Sequence, residues 1–240
     1  MDHHRDLRRL VNQLYDELQQ QAAGFHARQR TANLLISSPH ALVHYHIDMP
    51  VNMLWHLRGR KRVWVYPHFD HRFVSPEVIE LVCAGRHAED VPYSPDLDRY
   101  ALVFDVEPGQ LLTWPQLTPH RVTNLEGLNV SLSTEHKNAR AIRRLNVYQA
   151  NHLLRRWCRR PCRSTDIDGL VACLKETLVR TQRLAHRVIG KRQPQFSYPR
   201  SFVVDPESPR GVCWLDEAEG REAAAAEAVQ NSASAAMLTG

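Results

Sequence analysis

The sequence predicts a mainly β protein with flanking helices, and two patterns of apolar residues carry this prediction. From about residue 32 to residue 134, apolar runs of four to seven residues alternate with breaks that contain Pro or Gly. This rhythm is typical of antiparallel strands. On either side of that region, apolar residues recur at three- and four-residue steps, which is typical of amphipathic helices. The chain of 240 residues is long enough for one large core or two small ones.

The first element is a helix predicted over residues 6 to about 30, where Leu7, Leu14 and Leu18 recur between polar residues. Eight strands follow along the β region. They are predicted over residues 32–36, 41–48, 52–58, 61–67, 101–106, 110–114, 119–124 and 128–134. Short strands with such frequent breaks indicate antiparallel β structure.

Three further helices are predicted. One lies between Ser75 and Gly85, because Ser75 suits the N-cap and Pro76 suits the first helical position. The other two cover about residues 142–157 and 166–189, where the helical spacing of apolar residues returns. We expect these last two helices to cover one side of the β unit.

The chain is thus predicted to have four parts. Residues 1–33 form an N-terminal helical segment, 34–137 the β core, 138–192 the C-terminal helices and 193–240 an extended tail. Disorder is expected after about Glu217, because the last residues offer no large apolar group to bury.

Composition narrows the class of protein. No stretch approaches the roughly 18 to 20 apolar residues that a bilayer requires, and the N-terminus lacks the apolar region of a secretory signal. Five irregularly spaced cysteines favour reduced, mostly buried thiols, and hence a cytoplasmic protein. The net charge is +5, but fourteen histidines are the more unusual feature. Since histidine is the commonest metal ligand, the site chemistry is expected there.

A histidine, any residue and then an aspartate place two potential metal ligands on one face of a strand, because successive strand residues point to opposite sides. This spacing occurs at His4, at His68 and at His46. The pair His46 and Asp48 ends the apolar strand 41–46, whereas the other two pairs have no supporting context. The sequence therefore singles out His46 and Asp48, with a structural, hydrogen-bonded histidine as the alternative.

Two further residues, Lys61 and His120, extend this set of candidate site residues. Lys61 is predicted to share a strand face with Val63 and Val65, which is costly unless an anion meets the lysine. His120 stands at the start of a later strand, after a turn signalled by Pro108 and Gly109. Two histidines and one carboxylate with open coordination positions form the facial triad of non-haem Fe(II) oxygenases. For Lys61 the alternative is a buried stem whose ammonium reaches water.

These residues in combination resemble a known family, the JmjC and cupin-like Fe(II)/2-oxoglutarate oxygenases, in the branch that includes the asparaginyl hydroxylase acting on hypoxia-inducible factor. The resemblance rests on His46-Ile-Asp48, Asn52, Lys61 and Pro119-His120. It implies a double-stranded β-helix, or jelly roll. It also implies that His46, Asp48 and His120 bind Fe(II), the site at which O2 reacts. By the same resemblance, Lys61 pairs with the distal carboxylate of 2-oxoglutarate and Asn52 lines the same pocket.

The resemblance spans roughly residues 34–137 and includes two departures. Val43 stands where many relatives have a threonine that helps to hold the cosubstrate, and His56 stands where a glutamine is often found. The triad is intact, so the sequence predicts an Fe(II)- and 2-oxoglutarate-dependent dioxygenase that hydroxylates a protein side chain or a small molecule. The alternative is a non-catalytic metal-binding cupin that acts as a ligand sensor or binding protein. His44 shares a face with His46 and is expected to support the site, compete as a ligand or simply pack.

Arginines are frequent between residues 140 and 163. Clustered cations suit nucleic acid, but neither stacking aromatic residues nor a known binding motif accompanies them. A solvated helix face, or a surface for an acidic peptide or for the acidic tail of the chain, is therefore favoured. The predicted partners are an unknown protein or small-molecule substrate and a second copy of the chain, bound through the C-terminal helices as in relatives. Nucleic acid and membrane are not expected.

Overall fold

A computed structural model describes residues 5–158, 163–190, 196, 201–216 and 218–220. The chain divides into two compact units, Met1–Gln193 and Pro194–Gly240. The first unit contains a sheet and the helices around it. Its elements in chain order are α1 (Arg5–Gln21), β1 (Arg28–Ser37), β2 (Leu42–His46), β3 (Val51–Val65), α2 (Pro76–Cys83), a short 3-10 helix (Pro95–Tyr100), β4 (Leu102–Val106), β5 (Leu111–Thr113), β6 (His120–Lys137), α3 (Ala139–Trp157) and α4 (Gly169–Val188).

The six strands of the first unit form one antiparallel sheet, in which β6 is the central strand. Strand β3 pairs with β6 along nearly its whole length, from Val51 opposite His136 to Val65 opposite His120. Strands β1 and β2 both pair with the other edge of β6, β1 towards its C-terminal end and β2 towards its N-terminal end. Strands β4 and β5 pair with β3. This arrangement confirms the predicted mainly β architecture with flanking helices.

The β3–β6 pair bends around Gly59. Its backbone has φ of +83°, a conformation that glycine adopts at little cost. A Cβ atom at this position would lie 2.7 Å from the side chain of Asn129 on the facing strand. The register of the pair shifts between His56 and Lys61. A bulged bend of this kind curves a sheet, as a jelly roll requires.

Three apolar clusters surround this sheet. The amphipathic helix α1 covers its outside through Val11 and Tyr15, which are fully buried. A second cluster lies between the strands, and its buried members are Leu54, Val63, Val106, Trp114 and Val122. Helix α3 joins a third cluster through Tyr148, next to residues of β2 and α2. The last two clusters lie on either side of the loop that leads into β6, so this loop is held firmly.

The boundaries of several predicted elements differ from those observed. The first helix ends at Gln21 and not near residue 30, because the chain turns at Gly24 with φ of +79° and enters β1 at Arg28. The strands predicted at 52–58 and 61–67 are one strand, β3, since a bulged bend at Gly59 continues the pairing. The strands predicted at 119–124 and 128–134 are likewise one strand, β6. The 3-10 helix was not predicted.

The C-terminal helices are close to their predicted positions. Helix α3 begins at Ala139 because the Asn138 side chain accepts a hydrogen bond from the backbone N–H of Ala141. Helix α4 leaves a set of apolar side chains exposed. They are Leu170, Val171, Leu174, Leu184 and Val188. The homodimer expected through these helices stays a prediction.

The second unit contains a small hairpin between β7 (Phe202–Val204) and β8 (Val212–Trp214), which the sequence analysis did not predict. The disorder expected after Glu217 concerns residues that lie, except for 218–220, outside the described part of the chain. No helix in the described ranges is both long and apolar enough to cross a bilayer.

The expectation of mostly buried cysteines is wrong. Cys158, Cys173 and Cys213 are exposed, and Cys83 is partly buried, while Cys162 lies outside the described residues. Cys158 follows the end of α3, and Cys173 lies on α4, where the guanidinium of Arg143 donates a hydrogen bond of 3.4 Å to its sulfur. Helical spacing alone does not determine which face of an outer helix is covered.

Candidate metal centre

Strand pairing brings the two singled-out histidines together. His46 at the end of β2 lies directly opposite His120 at the start of β6, and the two imidazole centroids are 4.1 Å apart. Directly opposed residues of antiparallel strands point to the same face. Asp48 follows, with its Oδ1 3.6 Å from Nε2 of His46 and its Oδ2 3.4 Å from Nε2 of His120. One ligand atom from each residue lies within 4.8 Å of the others, and this is the one such cluster in the described part of the chain.

Both imidazoles are oriented by backbone carbonyls. Nδ1 of His46 lies 2.7 Å from the carbonyl of His44, and Nδ1 of His120 lies 2.9 Å from the carbonyl of Thr118. A carbonyl only accepts, so each Nδ1 carries the proton and each Nε2 presents its lone pair towards Asp48. Burial lowers the pKa of His120 to about 4, which keeps this ring neutral near pH 7. Neutral imidazoles with free Nε2 atoms are suited to metal coordination.

Asn52 orients the carboxylate of the cluster. Its Nδ2 donates a 3.0 Å hydrogen bond to Oδ2 of Asp48, and its Oδ1 accepts a 3.2 Å hydrogen bond from the hydroxyl of Ser133. Both ends of the Asn52 amide are therefore hydrogen-bonded. Asn52 contacts the cluster only through Asp48, whose carboxylate it orients. Ser133 was not singled out in the sequence, because its role depends on the pairing of two strands that are distant in the chain.

Two further carboxylates surround Asp48. Glu89 accepts a 3.2 Å hydrogen bond from the backbone N–H of Met49, and burial, together with the charge of Asp48, raises the pKa of Glu89 to about 7. Burial and Asp48 also raise the pKa of Glu135, which accepts a hydrogen bond from the hydroxyl of Thr31. Repulsion among these acids favours a cation at this end of the barrel. Glu89 could not be singled out from the sequence, because it lies in a loop without a recognisable motif.

Lys61 lies on the same face of the sheet as His120. His120, Val122 and Asn124 are every second residue of β6 and therefore lie on one face of the sheet. Lys61 of β3 lies opposite Asn124, and Val63 lies opposite Val122. Only 4% of Lys61 is exposed, and burial lowers its pKa. Within the residues that the structure describes, its ammonium makes neither a hydrogen bond nor an ion pair. A buried cation without a counter-ion is costly, so its position favours an anionic ligand.

Trp114 adds a second unpaired donor near the cluster. Its indole lies 4.3 Å, between centroids, from the ring of His120, and its Nε1 is buried without an acceptor in the described part of the protein. Buried N–H groups without acceptors are rare in folded proteins. Trp114 was not singled out in the sequence, because an indole alone does not indicate a ligand site.

The structure also shows the surroundings of Val43 and His56, the two residues at which the chain departs from the family pattern. Val43 lies opposite Val122, so an apolar side chain takes the place of a hydroxyl there. Both ring nitrogens of His56 are engaged, with the hydroxyl of Ser131 and the carbonyl of Gly59. His44 is exposed and contributes its backbone carbonyl to His46, and its ring is not part of the cluster.

The other two histidine–aspartate pairs do not form comparable clusters. His4 lies outside the described residues. Nδ1 of His68 is hydrogen-bonded to the hydroxyl of Thr118, while Asp70 pairs with Arg72. Context, and not the spacing itself, therefore distinguishes His46 and Asp48.

The cluster fits a divalent metal ion. Two imidazole nitrogens and one carboxylate oxygen converge, and metal bonds of roughly 2.0 to 2.2 Å need only small inward movements of these atoms. Three protein ligands leave further coordination positions open. The lone pairs of both Nε2 atoms, the oriented carboxylate and the surrounding acids all favour a positive charge at the same point.

Comparison with known proteins gives a family match. The family model of the cupin-like domain matches residues 2–138. No curated protein matches the chain. Solved structures with a similar fold include the DMSP lyase DddQ of Ruegeria pomeroyi DSS-3, at 10% identity and a TM-score of 0.30 over 46% of this chain and 39% of that chain. The oxalate decarboxylase of Bacillus subtilis matches at 14% identity and a TM-score of 0.31, over 46% and 22% of the two chains.

The family match covers both the jelly roll and the candidate metal centre. The matched segment contains α1 and all six strands of the first unit, and its C-terminal end coincides with the end of β6. The chain spans less than half the length of the solved structures that it matches. Since the family model matches more than half of this chain, the protein belongs to the cupin-like domain family.

Proposed function

We propose that the protein is an Fe(II)- and 2-oxoglutarate-dependent dioxygenase of the JmjC-like branch, which hydroxylates a protein side chain or a small molecule. The observation that carries this proposal is the ammonium of Lys61, unpaired among the described residues, on the same sheet face as His120 of the cluster. A metal centre by itself does not require a buried cation nearby. A dicarboxylate that binds the metal at one end does require a cation at its other end, and Lys61 would provide it.

The spacing supports a ligand between the two groups. Lys61 and His120 are separated by two same-face steps along the strands, which corresponds to roughly 13 Å between their backbone positions. The proposal requires that the two side chains leave between them a gap that a five-carbon dicarboxylate fills. Val63 and Val122 line the face between them and exclude water. The N–H of Trp114 is available for an oxygen atom of such a ligand.

Each residue of the site has a role in this proposal. His46 and His120 offer Nε2, and Asp48 offers a carboxylate oxygen while Asn52 holds its other oxygen. Lys61 fixes the distal carboxylate of the cosubstrate and so orients its other end towards the cluster. When bound, Fe(II) with 2-oxoglutarate and O2 supplies the oxidising chemistry of hydroxylation.

The second candidate is a non-catalytic metal-binding cupin that binds or senses a ligand. Two observations favour it. Val43 supplies no hydroxyl to a cosubstrate, and the hydrogen bonds of His56 to Ser131 and Gly59 leave it no free nitrogen for one. The two candidates differ in turnover and agree in metal binding.

The test measures succinate formation by the purified protein with Fe(II), ascorbate and 2-oxoglutarate, and compares it with the His46→Ala and Lys61→Met variants. The dioxygenase proposal predicts succinate from the unaltered protein alone. Binding of 2-oxoglutarate that depends on Lys61 but gives no succinate with any substrate tried supports the second candidate. Metal binding without any binding of 2-oxoglutarate contradicts the dioxygenase proposal.

A further inference from the structure

Arg144 differs from three other arginines of helix α3. Arg140, Arg143 and Arg155 each have a carboxylate within 3.2 Å, provided by Asp168 and by acids of α4 and α2. Arg144 is half-buried, and among the described residues no carboxylate lies within ion-pair distance of it. Its one hydrogen bond to a side chain is donated by Nη1 to Oε1 of Gln116, at 3.3 Å. Four of its five N–H groups therefore have no partner that the structure describes.

This guanidinium lines a cavity of about 390 Å³ between helix α3, the segment after β3 and the segment that precedes α4. Arg140, Arg144 and Tyr148 lie at four-residue steps on one face of α3, so that all three point into the same space. Phe69, which lies against the guanidinium, and Ile167 offer apolar surface to this space. The cavity thus combines one unpaired cation with aromatic and aliphatic walls, which is the usual make-up of a small-molecule site.

Two features hold the guanidinium in place. The ring of Phe69 covers it at 4.7 Å, and Phe69 adopts a φ of +58°, which is uncommon for an aromatic residue. Gln116 is 3% exposed, and its Nε2 donates to the carbonyls of Met49 and Ala141. The acceptor of Arg144 is therefore itself fixed. An arginine held between a strained aromatic residue and a fixed amide has little orientational entropy left to lose when it binds a ligand.

We propose that this cavity binds a small organic monocarboxylate, whose carboxylate accepts from Arg144 and whose apolar body contacts Phe69 and Ile167. A planar guanidinium matches a carboxylate with two parallel hydrogen bonds. Asp166 and Asp168 on the opposite rim repel a second negative charge, so a monoanion is preferred over a dianion such as phosphate. This site is separate from the candidate metal centre and does not depend on the function proposed for it.

The test is calorimetric titration of the full-length protein with benzoate, benzylamine and inorganic phosphate. Binding of benzoate is expected, with no measurable binding of benzylamine, which has the same size and the opposite charge. The Arg144→Gln variant is expected to lose at least about tenfold in benzoate affinity, because a charge-assisted hydrogen-bond pair is removed. Arg156→Gln is the matched control, since Arg156 is an exposed arginine of the same helix and does not line the cavity. Its benzoate affinity is expected to be unchanged.

Two further measurements distinguish this site from the barrel. The Lys61→Met variant keeps its affinity for benzoate if the ligand binds at Arg144 and loses it if benzoate enters the barrel, which overturns the proposal. A crystal of the unaltered protein grown with benzoate serves where Arg144→Gln does not fold. Density for the carboxylate within hydrogen-bond distance of Arg144 supports the proposal. Density elsewhere, equal binding of benzylamine or absence of binding overturns it.

Discussion

A buried charge between helices α2 and α3 is paired, whereas a buried charge in the barrel interior is not paired with any described residue. Between α2 and α3, Glu80 is almost fully buried, and Arg155 meets it with two hydrogen bonds of 2.6 and 3.1 Å. In the barrel, Lys61 is buried to a similar degree and has no partner among the described residues. A satisfied pair stabilises the native packing, whereas an isolated cation is tolerated at a cost. The difference indicates that the contact between Glu80 and Arg155 is structural and that the barrel is arranged for a ligand.

The largest effect is expected at the cluster itself. His46→Ala removes one of three ligands and is expected to abolish binding of Fe(II) or Co(II), because two donors do not hold a divalent ion against water. The measurement is a metal titration followed by calorimetry or by the Co(II) spectrum. His44→Ala is the matched control, since only the backbone of His44 contacts the site. Equal metal affinity of the two variants would show that the cluster is not a metal site.

The comparison between the paired Glu80 and the unpaired Lys61 is tested by measuring the free energy of unfolding of two variants. Arg155→Met leaves Glu80 buried without its cation and is expected to lower the free energy of unfolding by about 3 kcal/mol. Lys61→Met removes an unpaired buried charge and is expected to leave stability unchanged or to raise it. Both are measured by urea denaturation of the metal-free protein. A loss of several kcal/mol in Lys61→Met contradicts the inference that Lys61 awaits a ligand.

The curvature that closes the barrel is tested at Gly59. Gly59→Ala combines a positive φ with a contact of 2.7 Å to Asn129 and is expected to cost about 2 to 3 kcal/mol. Gly109→Ala is the matched control, because Gly109 has φ of +88° but no atom within 4 Å of the added Cβ. It is expected to cost about 1 kcal/mol. Equal losses of stability in the two variants would indicate that the contact with Asn129 at the bend does not contribute to the cost of Gly59→Ala.

A smaller effect is expected from Asn52→Ala, which leaves the three ligands intact and frees Oδ2 of Asp48. Removal of such an orienting partner lowers metal affinity by roughly 10- to 100-fold. The readout is the same titration, with Ser131→Ala as a control, because Ser131 contacts His56 and not Asp48. Unchanged affinity in Asn52→Ala is evidence that Asn52 faces a ligand, as the family resemblance implies, and does not position Asp48.

The smallest effect is a pH dependence outside the site. Burial lowers the pKa of His136, which lies beneath α1 and is hydrogen-bonded to Tyr15, to about 4. The unfolded chain then binds the proton more readily, so the stability from His136 is complete above pH 6.5 and is lost as the pH falls towards 4. Urea denaturation at pH 7 and pH 5 is expected to show a smaller loss in His136→Phe than in the unaltered protein. Identical losses contradict this assignment.

Much of the fold could be predicted because it depends on local patterns. The alternation of apolar residues indicated the strands, and the capping residues around Ser75 and Pro76 indicated α2, whose N-cap is confirmed. The bulged bend at Gly59 and the continuity of β3 could not be predicted, since they depend on how a strand pairs with a distant partner. The lengths of β3 and β6 were therefore underestimated.

The sequence by itself determined which residues are chemically able to form the site. The spacing of His46 and Asp48 on one strand face, and the lysine among valines at Lys61, are local facts of a two-residue period. Only the tertiary structure decided that His120 lies opposite His46, that Asn52 holds Asp48 and that Arg144 has no carboxylate partner among the described residues. The physical reason is that these contacts join residues far apart in the chain. They exist only after the β3–β6 pair bends and helix α3 packs beside the loop that leads into β6.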